Sequence, residues 1–407
     1  MRIRRLGLQS RSLGIGLAGL AALAAEGVLT QPAMAAAGDV EAWVSNKTYP
    51  PTQFSAVVPD VYPGTNNGIN IAVGDANNTG VPVIVTGNGP GSPDTIDTLN
   101  YSKISGFGSP QAYFTPDTAQ YGVRVAVGDP NGDGNNGVAY SSASGVSALV
   151  AYMTPKSQPP SISISAYSYS QTNGVYVAMG DVVGNGQDQI ITGPSTGDPT
   201  SGVTQSPVVN VYSGANSAIT LLGSFTPFDS TYTGGVRVAT GDVDGSGVDS
   251  IICGPDQGTN PTLEAYTWAK ITGGYSETIK SKLTVDSYGS SQGVYIATGD
   301  VTGSGEDDLI IGAGPGGLPY VTVYTYNTSS SSWAFDYDFL AYPASYTGGV
   351  EVAVGDLNGD GVEDIITSPA GAISVPEPAS LSLLVAGGAL LSCRRRKRRD
   401  RLLSAGG

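Results

Sequence analysis

Residues 349–369 read GVEVAVGDLNGDGVEDIITSP. Val350, Val352 and Val354 alternate with other residues, which is the period of a half-buried strand, and the β-branched run Ile365–Thr367 supplies a second strand. Between them lies a turn of acids and glycines, Asp356 to Asp364, with Gly361 placed for a sharp bend. The same stretch recurs five times upstream, with Gly-Asp pairs ending strands at Asp75, Asp129, Asp181, Asp242, Asp300 and Asp356. Their spacings are 54, 52, 61, 58 and 56 residues. A repeat of that length marks an array of one supersecondary unit.

Each unit opens with a strand of the form G-V-x-V-A-x, from Gly68–Val73 through Gly349–Val354. After the acidic loop comes a second strand, as in Ser250–Cys253 and Asp308–Ile311, and then a Gly/Pro turn such as Gly314–Gly317. Two further strands precede the next unit; examples are Val208–Tyr212 with Ala218–Phe225 and Tyr320–Tyr326 with Trp333–Tyr342. Four strands in about 55 residues, repeated, specify an all-β chain folded as a single β-propeller. The chain enters the array on a third-and-fourth-strand segment, Val40–Val44 with Gln53–Val58, and leaves it on a first-and-second-strand segment, Gly349–Thr367. Pairing these ends completes one composite blade and leaves no open half-blade edge. Six four-stranded blades are expected, with seven if a degenerate pair is hidden.

The loops offer oxygen donors at positions one, three, five and nine, with a backbone carbonyl at seven, a pattern that suits a hard cation such as Ca²⁺. Loop six is complete, with Asp356, Asn358, Asp360, the carbonyl of Val362, and Asp364. Loop five keeps Asp300 and Asp308 at its ends, with Thr302 and Ser304 between them. Loop two has Asp129, Asn131, Asp133 and the backbone of Asn135, but Gly137 at position nine. Loop four has Asp242, Asp244 and Ser246, with Ser250 at nine; strand alternation turns the displaced Asp249 outward. Loops one and three read as metal-free turns, in which Asp and Asn side chains bond their own backbone. The expectation is one to four structural Ca²⁺ ions. No flanking helices or twelfth-position Glu support an EF-hand.

The 407 residues include 58 Gly and 26 Pro but only 13% charged residues, a composition for a turn-rich all-β protein with an ample core. There is no histidine, so the commonest general base and transition-metal ligand is missing. The 22 tyrosines, Tyr212, Tyr266, Tyr295 and Tyr346 among them, either stack on sugars at a propeller face or fill contacts between blades. Cys253 reads as a small buried apolar residue, and no disulfide with Cys393 is expected.

Both ends carry addresses. Arg2, Arg4, Arg5 and Arg11 precede an apolar run at Leu13–Ala25 and the small-x-small pattern Ala33-Met34-Ala35, which marks residues 1–35 as a signal peptide for export. At the other end, Pro376-Glu377-Pro378 precedes an apolar stretch, Leu381–Ser392, and a basic block, Arg394–Arg399. This tail, residues 375–400, resembles the PEP-CTERM sorting signal. The resemblance implies transient insertion in the inner membrane of a Gram-negative bacterium, an exosortase-type processing enzyme as partner, and release to the cell surface or extracellular matrix. Between the two ends the chain holds eight Lys+Arg against 31 Asp+Glu, a net charge of −23, which argues against nucleic acid as a partner.

Over residues 39–371 the Gly-Val-x-Val-Ala-x-Gly-Asp strands, the acidic loops and the Ile-Ile-x-Gly-Pro strands resemble FG-GAP or VCBS-type repeats, the blades of the integrin α-subunit head. Gly-Asp stands where that family has Phe-Gly. The expected function is a non-enzymatic, calcium-binding scaffold or adhesion protein that binds exopolysaccharide or surface proteins. The alternatives are a polysaccharide lyase or glycoside hydrolase, and a purely structural coat. The acids fall in repeating loops and no G-x-S-x-G elbow is present, so no catalytic set stands out.

Overall fold

The computed structural model describes residues 39–371, apart from stretches at 45–51, 59–60, 63–67, 92, 103–105, 117–119, 145–147, 156–161, 168–173, 197–205, 215–217, 259–260 and 286–292. The signal-peptide segment and the Pro376-Glu377-Pro378 tail lie outside the described residues.

Every described regular element is a strand. Blade 1 is Ile69–Gly74, Val83–Asn88, Ile96–Leu99 and Gln111–Phe114. Blade 2 is Val123–Gly128, Gly137–Ser142, Leu149–Met153 and Ile162–Ser165. Blade 3 is Val175–Gly180, Gln189–Pro194, Val209–Ser213 and Thr220–Phe225. Blade 4 is Val236–Gly241, Ser250–Pro255, Thr262–Ile271 and Gly274–Thr284. Blade 5 is Val294–Gly299, Asp308–Ala313, Tyr320–Asn327 and Ser332–Leu340. Blade 6 joins Val350–Gly355 and Asp364–Pro369 to Val40–Val44 and Thr52–Val58. All neighbours are antiparallel, and blade 1 carries an additional small hairpin, Tyr101–Ser102 with Gly106–Phe107.

The chain therefore closes as its phase requires. Glu41, Ala42 and Trp43 pair with Thr367, Ile366 and Ile365, and Trp43 Nε1 donates to Thr367 Oγ1 at 3.1 Å. The six first strands touch in a ring, with Val350–Gly355 packed against Ile69–Gly74 to close it. The described residues form six blades and no seventh.

The core lies between blades, as the two-faced pattern of each sheet demands. Between blades 6 and 1, Val40, Ala42, Ala353 and Ile366 pack on Ile69, Ile71, Ile84 and Leu99. The equivalent cluster between blades 3 and 4 includes Val211, Phe225, Val236, Ile251 and Trp268. Cys253 is fully buried in that cluster, in the apolar role its position implied.

The glycine of each Gly-Asp pair exists because the next blade comes too close for a side chain. A Cβ at Gly74 would lie 2.5 Å from Val127, one at Gly241 2.5 Å from Thr298, and one at Gly355 2.3 Å from Val73. The second x of G-V-x-V-A-x is thus a knob seated on the preceding blade's glycine, all the way round the ring.

Candidate functional site: acidic loops and a cationic channel

The six loops share one backbone. In each, the first-position aspartate accepts the N–H of position five on Oδ1 and the N–H of position six on Oδ2, at 2.7–3.3 Å. Position six is a glycine with φ between 76° and 86°, the left-handed conformation that only glycine adopts cheaply. Position two is a buried plug in all six loops: Ala76, Pro130, Val182, Val243, Val301 and Leu357. These staples hold Asp75, Asp129, Asp181, Asp242, Asp300 and Asp356 in identical places at one end of the ring.

The loops differ at positions three and nine. In loop six, Asp364 is fully buried and its carboxylate faces Asn358 Nδ2 at 3.1 and 3.2 Å. Burial first, then the nearby Asp360 and Asp356, push it up to about 7. In loop five, Thr302 N donates to Asp308 Oδ2 at 3.0 Å, and burial lifts this carboxyl to about 7 as well, with Asp300 and Asp336 adding to the effect. Loop four has its own cation. Lys280 Nζ, from the outermost strand of blade 4, lies 2.5 Å from Asp244 Oδ2 and 2.9 Å from Ser250 Oγ. In loop three, Gln189 Oε1 takes the N–H of Val183 at 3.1 Å, closing the loop with neutral groups. In loop two the ninth residue is Gly137, and Asp133 Oδ1 accepts the Asn135 N–H at 2.9 Å on the exposed side.

As a test for a hard dication, the donor sets of loops six and five fit best. Each places a buried carboxyl near pH neutrality beside other acids, and a positive ion would relieve the cost of ionising it. The Asn358 amide, turned over, presents Oδ1 rather than Nδ2 to the same space. Loop four has Lys280 where such an ion would sit, and loops one to three lack a ninth-position carboxylate. Among the described residues, no three acidic side chains converge tightly into a cluster.

A second use of the acids was not legible in the sequence. The residue at position eight reaches across to the preceding blade. Asp188 Oδ2 accepts the Asp129 N–H at 2.7 Å, Asp307 Oδ2 the Asp242 N–H at 2.8 Å, and Glu363 Oε2 the Asp300 N–H at 2.9 Å. The backbone answers: Asp188, Asp307 and Glu363 donate their own N–H groups to the carbonyls of Asp129, Asp242 and Asp300 at 3.0–3.1 Å. Asp249 makes the same clasp to Asp181, so it faces the neighbouring blade and not solvent as strand alternation implied. Burial raises it to about 7, with help from Asp307 and Asp188. The joints around blade 1 use other groups: position eight is Asn136 in blade 2 and Pro82 in blade 1.

At the centre of the ring, the first x of each G-V-x-V-A-x strand faces the axis. These residues are Asn70, Arg124, Tyr176, Arg237, Tyr295 and Glu351, and they line a channel cavity of about 80 Å³. Arg237 stacks on Tyr295 with its Cζ 3.4 Å from the ring centroid, and Arg124 stacks on Tyr176 at 3.7 Å. Arg237 also forks Asp256 Oδ1 through Nε at 3.0 Å and Nη2 at 2.6 Å. Burial opposes the Asp256 charge, but Arg237, Arg124 and the Thr196 hydroxyl together hold it below the usual carboxylate range. Burial pushes Glu351 the other way, up to about 7, even with both arginines near it.

The tyrosines divide as follows. Tyr212, Tyr266, Tyr326, Tyr342 and Tyr346 are buried between blades, and Tyr295 lines the channel. Several hydroxyls find backbone acceptors across a joint, such as Tyr266 with Pro227 O at 3.0 Å and Tyr62 with Thr86 O at 3.0 Å. Their mass packs the propeller.

No protein-family model matches the chain, and no curated protein matches it. Among solved structures it is similar to an Agrocybe aegerita lectin described as recognising non-reducing terminal N-acetylglucosamine, at 15% identity and a TM-score of 0.43, over 82% of this chain and 85% of the lectin. It is also similar to an exotype rhamnogalacturonan lyase, at 12% identity and a TM-score of 0.38, over 82% of this chain and 75% of the lyase. A Bacillus licheniformis rhamnogalacturonan lyase matches at 13% identity and a TM-score of 0.35, over 74% and 71% of the two chains.

Proposed function

We propose that this chain is an exported, non-enzymatic propeller that serves as a binding scaffold of a cell surface or exopolysaccharide matrix, of the FG-GAP/VCBS type, delivered by a PEP-CTERM tail. The observation that carries the reading is the deployment of its acids. First-position aspartates staple turns, eighth-position acids clasp neighbouring blades, and Arg237 neutralises Asp256. Carboxylates spent on architecture are not poised as an acid–base pair on one sugar.

Calcium belongs to this proposal. Asp356, Asn358, Asp360, the Val362 carbonyl and Asp364 would hold one ion, and Asp300, Thr302, Ser304 and Asp308 a second of lower affinity. Bound there, the ion supplies charge neutralisation and ties the first and second strands of a blade together. The site chemistry suits an extracellular milieu rich in that ion.

Titration of the full chain, with calcium present, against a panel of acidic and neutral exopolysaccharides tests the reading. Saturable binding with polymer length unchanged is expected. Time-dependent shortening of any polymer in the panel would make the protein a polysaccharide-active enzyme and overturn it.

A further inference from the structure

We infer that the axial channel is a binding site for a small carboxylate anion, of the size of acetate, held between the guanidinium groups of Arg124 and Arg237. Residues 39–371 contain only these two arginines, and both stand on the first strands facing the axis, from blades 2 and 4. Chance placement of a surface-favouring residue does not concentrate it in one small buried channel.

Both guanidinium groups carry unspent donors. Nη1 of Arg124 and Nη1 of Arg237 are buried and have no hydrogen-bond partner among the described residues. A buried charged donor without an acceptor is costly, and the planar fork of arginine matches a carboxylate better than any other partner. Arg237 is 6% exposed, so water does not satisfy it from bulk.

The rings of Tyr176 and Tyr295 keep the two cations in place, Tyr176 lying 3.7 Å from Arg124 and 4.9 Å from Arg237. Asp256 pairs with Arg237, and Glu351 lies close enough to feel both arginines, Arg237 first. The 80 Å³ cavity is several times the roughly 10–15 Å³ that one water needs, enough for a two-carbon acid. It continues into a second space of about 100 Å³ bordered by Gly68, Pro90, Ala143 and Ala370, at the starts of the first strands. That mouth is at the opposite end of the strands from the Asp loops, so an entering anion avoids their negative field.

Glu351 competes with the ligand when ionised and assists it when protonated, its carboxyl hydrogen then being a further donor. The groups around Glu351 are Arg124, Arg237 and Asp256, with Asn70, Tyr176 and Tyr295 completing the wall. Because this carboxyl titrates near 7, occupancy falls as pH rises from 6 to 8.

The test is thermal melting of the full chain in increasing sodium acetate, at constant ionic strength made up with the sodium salt of a bulky sulfonate buffer. At pH 6 the melting temperature is expected to rise and saturate, because the ligand binds only the folded state. The half-saturating concentration should increase about tenfold at pH 8, following the ionised fraction of one group. Arg124→Gln should abolish the rise. Glu351→Gln should restore at pH 8 the half-saturation seen at pH 6. No saturable rise at pH 6, or an equal rise in Arg124→Gln, overturns the assignment. If Arg124→Gln does not fold, the Glu351→Gln titration decides alone: a half-saturation at pH 8 unchanged from wild type contradicts it.

Discussion

Glu351 is one of several buried carboxyls whose charge state sets stability against pH. Its folded value is raised from 4.5 to about 7 by burial. Between those values the folded chain holds a proton that the unfolded chain has lost, so its contribution is complete below about 4.5 and disappears as pH rises through 7. Melting temperature is therefore expected to fall between pH 5 and 8, and Glu351→Gln to flatten part of that fall; a mutant curve parallel to wild type would remove Glu351 from the account. The Gly-Asp glycines give a second residue-scale expectation. A Cβ at Gly241, the last residue of its strand, meets Thr298 and Asp307 within 2.6 Å, whereas one at Gly359, inside a loop, meets nothing within 4 Å. Gly241→Ala should cost about 1–3 kcal/mol by overpacking the joint. Denaturant unfolding reads this directly, and an unchanged midpoint would mean the blades can part without penalty.

The element that matters most is the joint between blades. In sequence, the alternating G-V-x-V-A-x strands were plain because the period of two survives every repeat, and the first-position aspartates were plain because each ends such a strand. The eighth-position acids were not, because a clasp is a relation between two repeats about 60 residues apart, and local alternation turned Asp249 the wrong way. Nor did local pattern reveal the axial belt, although its signal was present: the first x is never a plain aliphatic residue in any repeat. Lys280 could not be placed in loop four either, since its strand is long and its neighbours Ile279 and Ser281 give no hint of an internal ion pair. Removing one clasp should leave a half-buried Asp242 N–H without an acceptor. Asp307→Ala is accordingly expected to cost about 1–3 kcal/mol, against about 0.5 kcal/mol or less for Asp336→Ala at an exposed outer-strand site. Equal effects of the two substitutions would make the clasp ornamental. Clasps join blades 2 through 6 but neither joint of blade 1, where Pro82 and Asn136 stand at position eight. Amide exchange should then be faster in Ile69–Gly74 and Val83–Asn88 than in Val294–Gly299 and Asp308–Ala313, and the reverse order would contradict the clasps as the source of rigidity.

At the scale of the molecule, closure was legible because the phase of the chain is readable: it begins on the outer half of a blade and ends on the inner half. The Glu41–Thr367 to Trp43–Ile365 pairing is the consequence. What the ring achieves is a frame with an acidic end, a cationic axis and a core distributed among its joints, the division of labour on which the proposed scaffold role rests. Burial raises the Asp364 and Asp308 carboxyls of loops six and five to about 7, and a cation bound there would favour their charged form. The measurement that tests this most directly is the melting temperature of the full chain with excess calcium and with chelator, for wild type and for the Asp360→Asn, Asp364→Asn double variant. A calcium-dependent rise in wild type is expected, and the double variant should largely lose it. Identical melting with calcium and with chelator in wild type would contradict it, leaving the loops as hydrogen-bonded turns.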